Sequence, residues 1–188
     1  MIATPEPVFL QGRAVVLTSL GRADVSKAYL AWLNDTDVLR YRVAKTFPTT
    51  MKQLKKWIDE IPARGDLVLA IRACATRRHV GNIALNSILW NHRSAELAIM
   101  IGAKDVWGRG YGTEAVSLLT DHAFSAIGLH RIWANSPNPA FNAAMRRLGW
   151  RREGIQRRAF LLDGKFVDVE CWGLLASEWK KKQGRGLS

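Results

Sequence analysis

The stretch that decides the fold is residues 95–115, AELAIMIGAKDVWGRGYGTEA. It reads as an apolar strand that ends at Gly102, then a short polar turn, a loop with three glycines and an amphipathic helix from about Thr113. A glycine loop at a helix N-terminus gathers backbone N–H groups around one point, where the helix dipole adds positive potential. The stretch therefore predicts either a phosphate-binding loop or only a tight strand-to-helix connection.

The spacing of the glycines differs from that of two common nucleotide-binding motifs. The G-x-G-x-x-G pattern of dinucleotide folds is absent, and no Gly-Lys-Ser/Thr follows as in P-loop NTPases. Residues 107–115, WGRGYGTEA, instead closely resemble the acetyl-CoA loop of the GNAT superfamily of N-acetyltransferases. The resemblance is nearest to the branch of the ribosomal-protein N-terminal acetyltransferases. LGWRREG at residues 148–154 and DGKFVD at residues 163–168 are similar to the same branch, so the resemblance covers about residues 13–175.

Length and composition indicate one globular domain. The chain has 188 residues, 48% of them hydrophobic, with eight tryptophans, which is enough for a full hydrophobic core. No apolar run is long enough for a membrane span, and the two cysteines, Cys74 and Cys171, are expected to be free thiols in a reducing compartment. We expect an N-acetyltransferase domain over residues 1–179, a basic tail over residues 180–188, a cytoplasmic location and no membrane partner.

The remaining pattern predicts an α+β domain. We expect strands at residues 15–20, 67–71, 80–85, 95–101 and 131–135, and a final hairpin over residues 151–175 that turns at Asp163-Gly164. Four helices are expected: one capped by Asp24, one capped by Thr50 with Gln53 and ending before Pro62, one from about Thr113 that closes at Gly128 as the C′ residue, and one from Ala140 to Leu148 stopped by Gly149. This order, with the resemblance, implies a single-domain GNAT-like fold with a mixed, mostly antiparallel central sheet.

The resemblance implies transfer of an acetyl group from acetyl-CoA, the co-substrate, to a primary amine. It assigns the pyrophosphate to the backbone N–H groups of the glycine loop and the pantetheine arm to the backbone of strand residues and to one asparagine. The candidate cofactor-binding residues are Ile99, Met100, Ile101, Trp107, Arg109, Gly110, Tyr111, Gly112, Thr113 and Asn138. Trp107 stands where many members of the family carry Gln or Arg.

Glu96 is the candidate general base, because the attacking amine must first lose a proton. Glu96 could equally be a solvated strand-end carboxylate or an acceptor-binding group. The resemblance also places Trp32 and Asn34 beside the acceptor, although a tryptophan packed before a turn is the equal alternative. Met145 occupies the position where many members have a tyrosine that protonates the leaving thiolate, and methionine cannot donate a proton. A thiolate with a pKa of about 8.5 can leave with solvent as the acid.

The formal net charge of +12 bears on the acceptor and on possible partners. It favours polyanionic partners or is simply a solvated basic surface, and it disfavours polycationic amines such as spermidine. A protein N-terminus or an amino sugar is the favoured acceptor, with possible ribosome association. A non-catalytic acyl-CoA-binding or RNA-associated protein on the same fold is the alternative. The four histidines lack metal-ligand spacing, so no metal is expected, and a monomer or a homodimer fits equally.

Overall fold

The structure is a computed structural model that describes residues 7–42 and 47–179. Two compact units make up the chain. The first contains the residues up to Asn86 and Ala98–Leu119, and the second contains Ser87–Leu97 and the residues from Thr120 onwards. The predicted basic tail at residues 180–188 lies outside the described residues.

Antiparallel strands form the sheet of the first unit. They are β1 (Val8–Gln11), β2 (Val15–Ser19), β3 (Leu67–Ala73) and β4 (His79–Leu89), in that order, followed by β5 (Ser94–Ile101). The strands predicted at residues 15–20, 67–71, 80–85 and 95–101 are confirmed with small shifts at their ends. Strand β1 was not predicted. A Cβ at Gly81 of β4 would overlap the carbonyl oxygen of Met100, so only glycine lets β5 approach this closely.

Helix α1 (Lys27–Trp32) begins at Ser26, whose side chain accepts a hydrogen bond from the Tyr29 N–H at 3.1 Å. The prediction that Asp24 caps this helix is wrong. A short 3-10 turn over Arg22–Asp24 precedes the helix, and the Asp24 carboxylate accepts the Gly21 N–H within that turn. The 3-10 turn therefore delays the helix start to the next residue that can cap it.

Helix α2 (Met51–Arg64) begins at the predicted capping box of Thr50 and Gln53. It continues through Pro62 and ends at Gly65, which has a φ of +71°. The predicted end before Pro62 is wrong, because the apolar face continues to Ile61 and the left-handed glycine closes the last turn. Helices α1 and α2 pack on one face of the sheet. This packing buries Leu20, Tyr29, Leu54, Ile58, Ile61, Ala70 and Met100.

The second unit contains the first residues of β5 and three further strands, β6 (Arg131–Ser136), β7 (Arg151–Leu162) and β8 (Lys165–Leu175). Their order is β5-β6-β8-β7, and only β5 and β6 pair in parallel, at Ser94–Glu96. The predicted turn at Asp163-Gly164 joins β7 to β8, and both of its residues have positive φ.

Helix α3 (Tyr111–Ser125) begins two residues before Thr113 and ends before Gly128. Helix α4 (Pro139–Leu148) is capped by Asn138 and ends at Gly149, which has a φ of +80°; residues 176–179 are also helical. One parallel strand pair among antiparallel ones, with helices on the sheet, confirms the predicted single-domain α+β fold. Within residues 7–42 and 47–179 no helix has the length and apolarity to span a membrane.

Candidate active site

Strand β5 contains three of the predicted cofactor-binding residues, Ile99, Met100 and Ile101. Their backbone groups point to opposite edges of the strand. The Met100 carbonyl faces Gly81 of β4. Because backbone N–H and C=O groups of successive strand residues point to opposite edges, Ile99 and Ile101 face the other edge. There the Arg42 guanidinium donates to the Ile99 carbonyl at 3.4 Å, and the Trp107 indole donates to the Ile101 carbonyl at 2.9 Å. The N–H groups of Ile99 and Ile101 share that edge.

The glycine loop at residues 107–110 is exposed and leads directly into α3. Gly108 and Gly110 have φ values of +75° and +82°. The first helical bond of α3 runs from the Glu114 N–H to the Gly110 carbonyl at 3.0 Å. The N–H groups of residues 111–113 come before that bond and therefore project from the N-terminal end of the helix.

The backbone of Arg109 differs from the rest of the predicted loop. Its N–H donates to the Val106 carbonyl at 3.3 Å, which joins it to the preceding 3-10 turn. The group of N–H donors thus begins after Arg109, although the exposed Arg109 side chain stays beside it.

The loop has the features that a pyrophosphate requires. A Cβ added at Gly108 or Gly110 would have no protein atom within 4 Å, so the loop is open on that side. A Cβ at Gly112 would lie 3.5 Å from Ile101 and 3.7 Å from Ile99, so the N-terminus of α3 rests on these β5 side chains. N–H donors, the helix dipole and an arginine around an open space fit an anionic diphosphate.

Side chains from other parts of the first unit hold the segment before the loop. Gly102 lies against the Trp32 ring, which a Cβ at Gly102 would overlap. Lys104 pairs with Asp35 at 2.8 Å and with Asp37 at 2.6 Å. Each exposed ion pair contributes little, but together they connect the segment after α1 to the approach of the loop.

Glu114 holds the loop from the other side. Its carboxylate accepts the N–H of Arg13 and, at 3.0 Å, the N–H of Ala14, so the β1–β2 turn is fixed to the first turn of α3. This role of Glu114 was not predicted. No sequence pattern identifies it, because the partners are about a hundred residues away and donate backbone groups.

The two predicted acceptor residues of the first unit have mainly structural contacts. The Trp32 ring lies 5.7 Å from Tyr29 and 5.1 Å from His79, between ring centroids. Asn34 donates to the Leu30 and Thr49 carbonyls and accepts the Thr49 N–H. Asn34 therefore links the segment after α1 to the approach of α2. Acceptor binding by either residue stays a prediction.

A chain of hydrogen-bonded polar side chains lies beside the Trp32 ring and was not predicted. His79 Nε2 lies 2.8 Å from the Asn82 side-chain oxygen, and Asn82 donates to the Tyr29 hydroxyl at 2.6 Å. Burial raises the pKa of Tyr29 to about 12 and lowers the pKa of His79 below its ordinary value. Both groups are consequently neutral near pH 7.

The second unit contains the other predicted site residues. Glu96 is partly buried on β5, opposite Trp133 of β6, and burial raises the pKa of its carboxyl group. Asn138 uses its side-chain oxygen to accept the Ala140 N–H at 2.9 Å, which leaves its amide N–H groups for another partner. Met145 is fully buried in α4. The roles of Glu96 and Asn138 stay predictions.

Comparison with known proteins decides the family. The sequence model of the acetyltransferase (GNAT) domain matches residues 15–151, most of the chain. The chain belongs to the GNAT family of acetyltransferases. Membership confirms the predicted enzyme class, an acetyl-CoA-dependent N-acetyltransferase, without identifying an acceptor or a branch.

Curated bacterial relatives agree with this family. The uncharacterised N-acetyltransferase p20 of Bacillus licheniformis is 29% identical over 166 residues, which cover 84% of this chain and 89% of p20. The uncharacterised N-acetyltransferase YoaA of Bacillus subtilis (strain 168) is 28% identical over 102 residues. That match spans 53% of this GNAT chain and 57% of YoaA, just over half of each.

Solved structures show the same fold. A crystal structure of an inferred acetyltransferase is 30% identical, covers 98% of this chain and 94% of its own, and superposes with a TM-score of 0.75. The spermidine N-acetyltransferase of Vibrio cholerae, solved with CoA and spermine, has a TM-score of 0.80 at 22% identity. It covers 89% of this chain and 98% of its own. At that identity the likeness concerns the fold of the GNAT protein alone.

Proposed function

We propose that this GNAT enzyme acetylates a primary amine on a protein N-terminus or on an amino sugar, and that the N-terminus of α3 holds the pyrophosphate of acetyl-CoA. One observation carries the proposal: Gly110, at a φ of +82° with open space beside it, directs the chain into a helix whose first N–H groups project toward that space. Tyr111, Gly112 and Thr113 would donate these N–H groups, and the Arg109 side chain would add a positive charge.

Acetyl-CoA supplies the acetyl thioester, and the residues of the chain bind and orient it. The edge of β5 that carries the N–H groups of Ile99 and Ile101 suits the pantetheine arm and the thioester oxygen. The carbonyls of both residues already accept hydrogen bonds from Arg42 and Trp107. The Trp107 indole would hold this edge so that its N–H groups face the co-substrate. We assign Trp107 this indirect role in cofactor binding.

Glu96 is proposed to take the proton from the acceptor ammonium, which makes the nitrogen lone pair available for attack. Its partial burial raises the carboxyl pKa, and a base is more effective as its pKa approaches the working pH. Because Met145 is buried and cannot donate a proton, solvent would protonate the leaving sulfur.

The basic character of the protein supports the choice of acceptor. At a formal net charge of +12 the enzyme repels polycations, which disfavours spermidine. Protein N-termini on the ribosome, with its anionic RNA, and amino sugars attached to nucleotides suit this charge. The branch of the ribosomal-protein N-terminal acetyltransferases, a cytoplasmic location and a monomer or homodimer belong to the same proposal.

Release of CoA thiol with a panel of amines tests this function. The panel contains peptides with free N-termini, nucleotide-linked amino sugars, free amino acids and spermidine, each assayed with acetyl-CoA. We expect turnover with a peptide or an amino sugar and little with spermidine. Spermidine as the best acceptor would overturn the acceptor assignment. Tight CoA binding without turnover on any amine would favour the non-catalytic alternative.

A further inference from the structure

Two arginines of the first unit, Arg42 and Arg72, are partly buried but have different partners. Arg72 donates to the Asp24 carboxylate at 2.5 Å and to the Thr18 hydroxyl at 3.1 Å. Arg42 is half-buried, and its hydrogen bond within the described part of the chain is the long one of 3.4 Å to the neutral carbonyl of Ile99. A guanidinium has five N–H donors, so the described residues use only a small part of the donor capacity of Arg42.

Carboxylates near Arg42 in the sequence are already paired elsewhere. Asp35 and Asp37 bind Lys104, and Asp24 binds Arg72. Among residues 7–42 and 47–179 no carboxylate forms an ion pair with Arg42. Desolvation without a counter-charge accordingly lowers the pKa of the Arg42 guanidinium below its ordinary range. Removing a charge from water is costly unless the charge is paired. An anion bound beside Arg42 would provide that pairing.

We propose that Arg42 is the counter-ion of a carboxylate on the acceptor, so that the enzyme acetylates amines that also bear a carboxylate group. The inference rests on the proposed function, because the edge of β5 at Ile99 is where the acetyl thioester is expected. An anion on Arg42 lies at that edge and not at the glycine loop. It therefore belongs to the second substrate.

A carboxylate fits this position better than a phosphate does. The site offers one guanidinium, whose planar fork matches the two oxygens of a carboxylate and balances its single charge. Among the described residues, the Ile99 carbonyl and the Tyr29 hydroxyl interact with Arg42, and neither brings a second positive charge. A phosphate dianion usually needs several such donors, as the N-terminus of α3 provides.

Matched amine pairs test the proposal. Glycine, γ-aminobutyrate and the dipeptide Ser-Glu are each compared with their carboxamides, and phosphoethanolamine is compared with ethanolamine. Binding to the full chain is measured by calorimetry with CoA present, and acetylation is measured separately with acetyl-CoA. We expect at least one carboxylate member to bind about 10- to 100-fold more tightly than its amide. The phosphate member should show no such advantage.

Three variants locate the effect. Arg42→Gln should bring the ratio of acid to amide close to one, and Arg42→Lys should retain part of it. Arg64→Gln is the matched control, because Arg64 is an exposed arginine at the end of α2, and should keep the full ratio. The CoA affinity should stay within about threefold in all three variants.

Each other outcome is decisive. Equal binding of acids and amides by the wild-type protein overturns the proposal without any variant. Loss of CoA affinity in Arg42→Gln with an unchanged ratio assigns Arg42 to the co-substrate and also overturns it. A preference for phosphoethanolamine replaces the carboxylate by a phosphate. If the carboxylate preference depends on Arg42 but no acetylated product forms, the carboxylate site stands and the proposed function fails.

Discussion

The glycine loop and Glu96 differ in what makes them suited to a role in catalysis. In the loop the backbone is proposed to act: Gly110 adopts a φ of +82°, and the N–H groups that follow it would bind the pyrophosphate regardless of which side chains residues 111–113 carry. At Glu96 a single carboxyl group is proposed to act as the base, and its effectiveness would depend on how far burial has raised its pKa. A site made of backbone groups can be predicted from the glycines in the sequence. A site made of a side chain depends on its surroundings, which only the folded structure determines.

Gly110→Val should produce the largest effect, because it disrupts the backbone site directly. Valine disfavours positive φ, and its side chain would fill the open space beside the N–H groups. Losing two charge-assisted hydrogen bonds predicts CoA binding weaker by about 1,000-fold, measured by calorimetry. Gly128→Val is the matched control, since Gly128 has a φ of +77° and equally open space but follows the C-terminal end of α3. Similar CoA affinities in the two variants would show that the loop holds no phosphate.

Glu96→Gln tests the side-chain site and should leave CoA affinity unchanged. If Glu96 is the base, kcat should fall by about 100-fold near neutral pH.

The wild-type rate should fall as pH decreases through the Glu96 pKa, because only the ionised carboxylate accepts a proton. That limb should lie above the ordinary range of a glutamate, since burial raises this pKa. The variant should lack the limb and should recover part of its rate at high pH, where the amine is already neutral. Normal turnover by the variant at neutral pH would exclude Glu96 as the base.

The same contrast explains which parts of the structure could be read from the sequence. The glycine loop, the Thr50 capping box and the Asp163-Gly164 turn depend on local backbone rules, and each was located correctly. The start of α1 was misplaced because Asp24 is used in a 3-10 turn and by Arg72, which is 48 residues away. That no carboxylate of residues 7–42 and 47–179 pairs with Arg42 could not be predicted either, since it depends on where the nearby carboxylates find other partners.

Gly102→Ala tests the packing that supports the backbone site. The added methyl group would overlap the Trp32 ring, and relieving that overlap is expected to cost about 2 kcal/mol of unfolding free energy. Urea denaturation measures the cost. Gly21→Ala is the control, because a Cβ there meets no protein atom within 4 Å. Combining Gly102→Ala with Trp32→Leu should restore part of the stability. Equal stability of the two single variants would mean that the contact with Trp32 does not constrain the strand end.

Glu114→Gln should have the smallest effect, and it asks whether the backbone site depends on a distant side chain. The carboxylate accepts two backbone N–H groups, from Arg13 and Ala14, whereas an amide offers one acceptor oxygen and turns its own donors toward the other N–H. We expect a loss of about 1 kcal/mol in the free energy of unfolding.

The CoA affinity of Glu114→Gln should change by less than about threefold, because the N–H groups of residues 111–113 keep their positions and a carboxylate near the anion is removed. Glu60→Gln provides the comparison: Glu60 is half-buried, and within the described part of the chain it pairs with Lys56 and Arg64 on α2, so its loss should cost at most about 0.5 kcal/mol. If the two variants lose the same stability, the bonds from the β1–β2 turn contribute nothing to the loop. If Glu114→Gln instead weakens CoA binding as strongly as Gly110→Val, the N-terminus of α3 is positioned by Glu114, and the backbone site depends on a side chain after all.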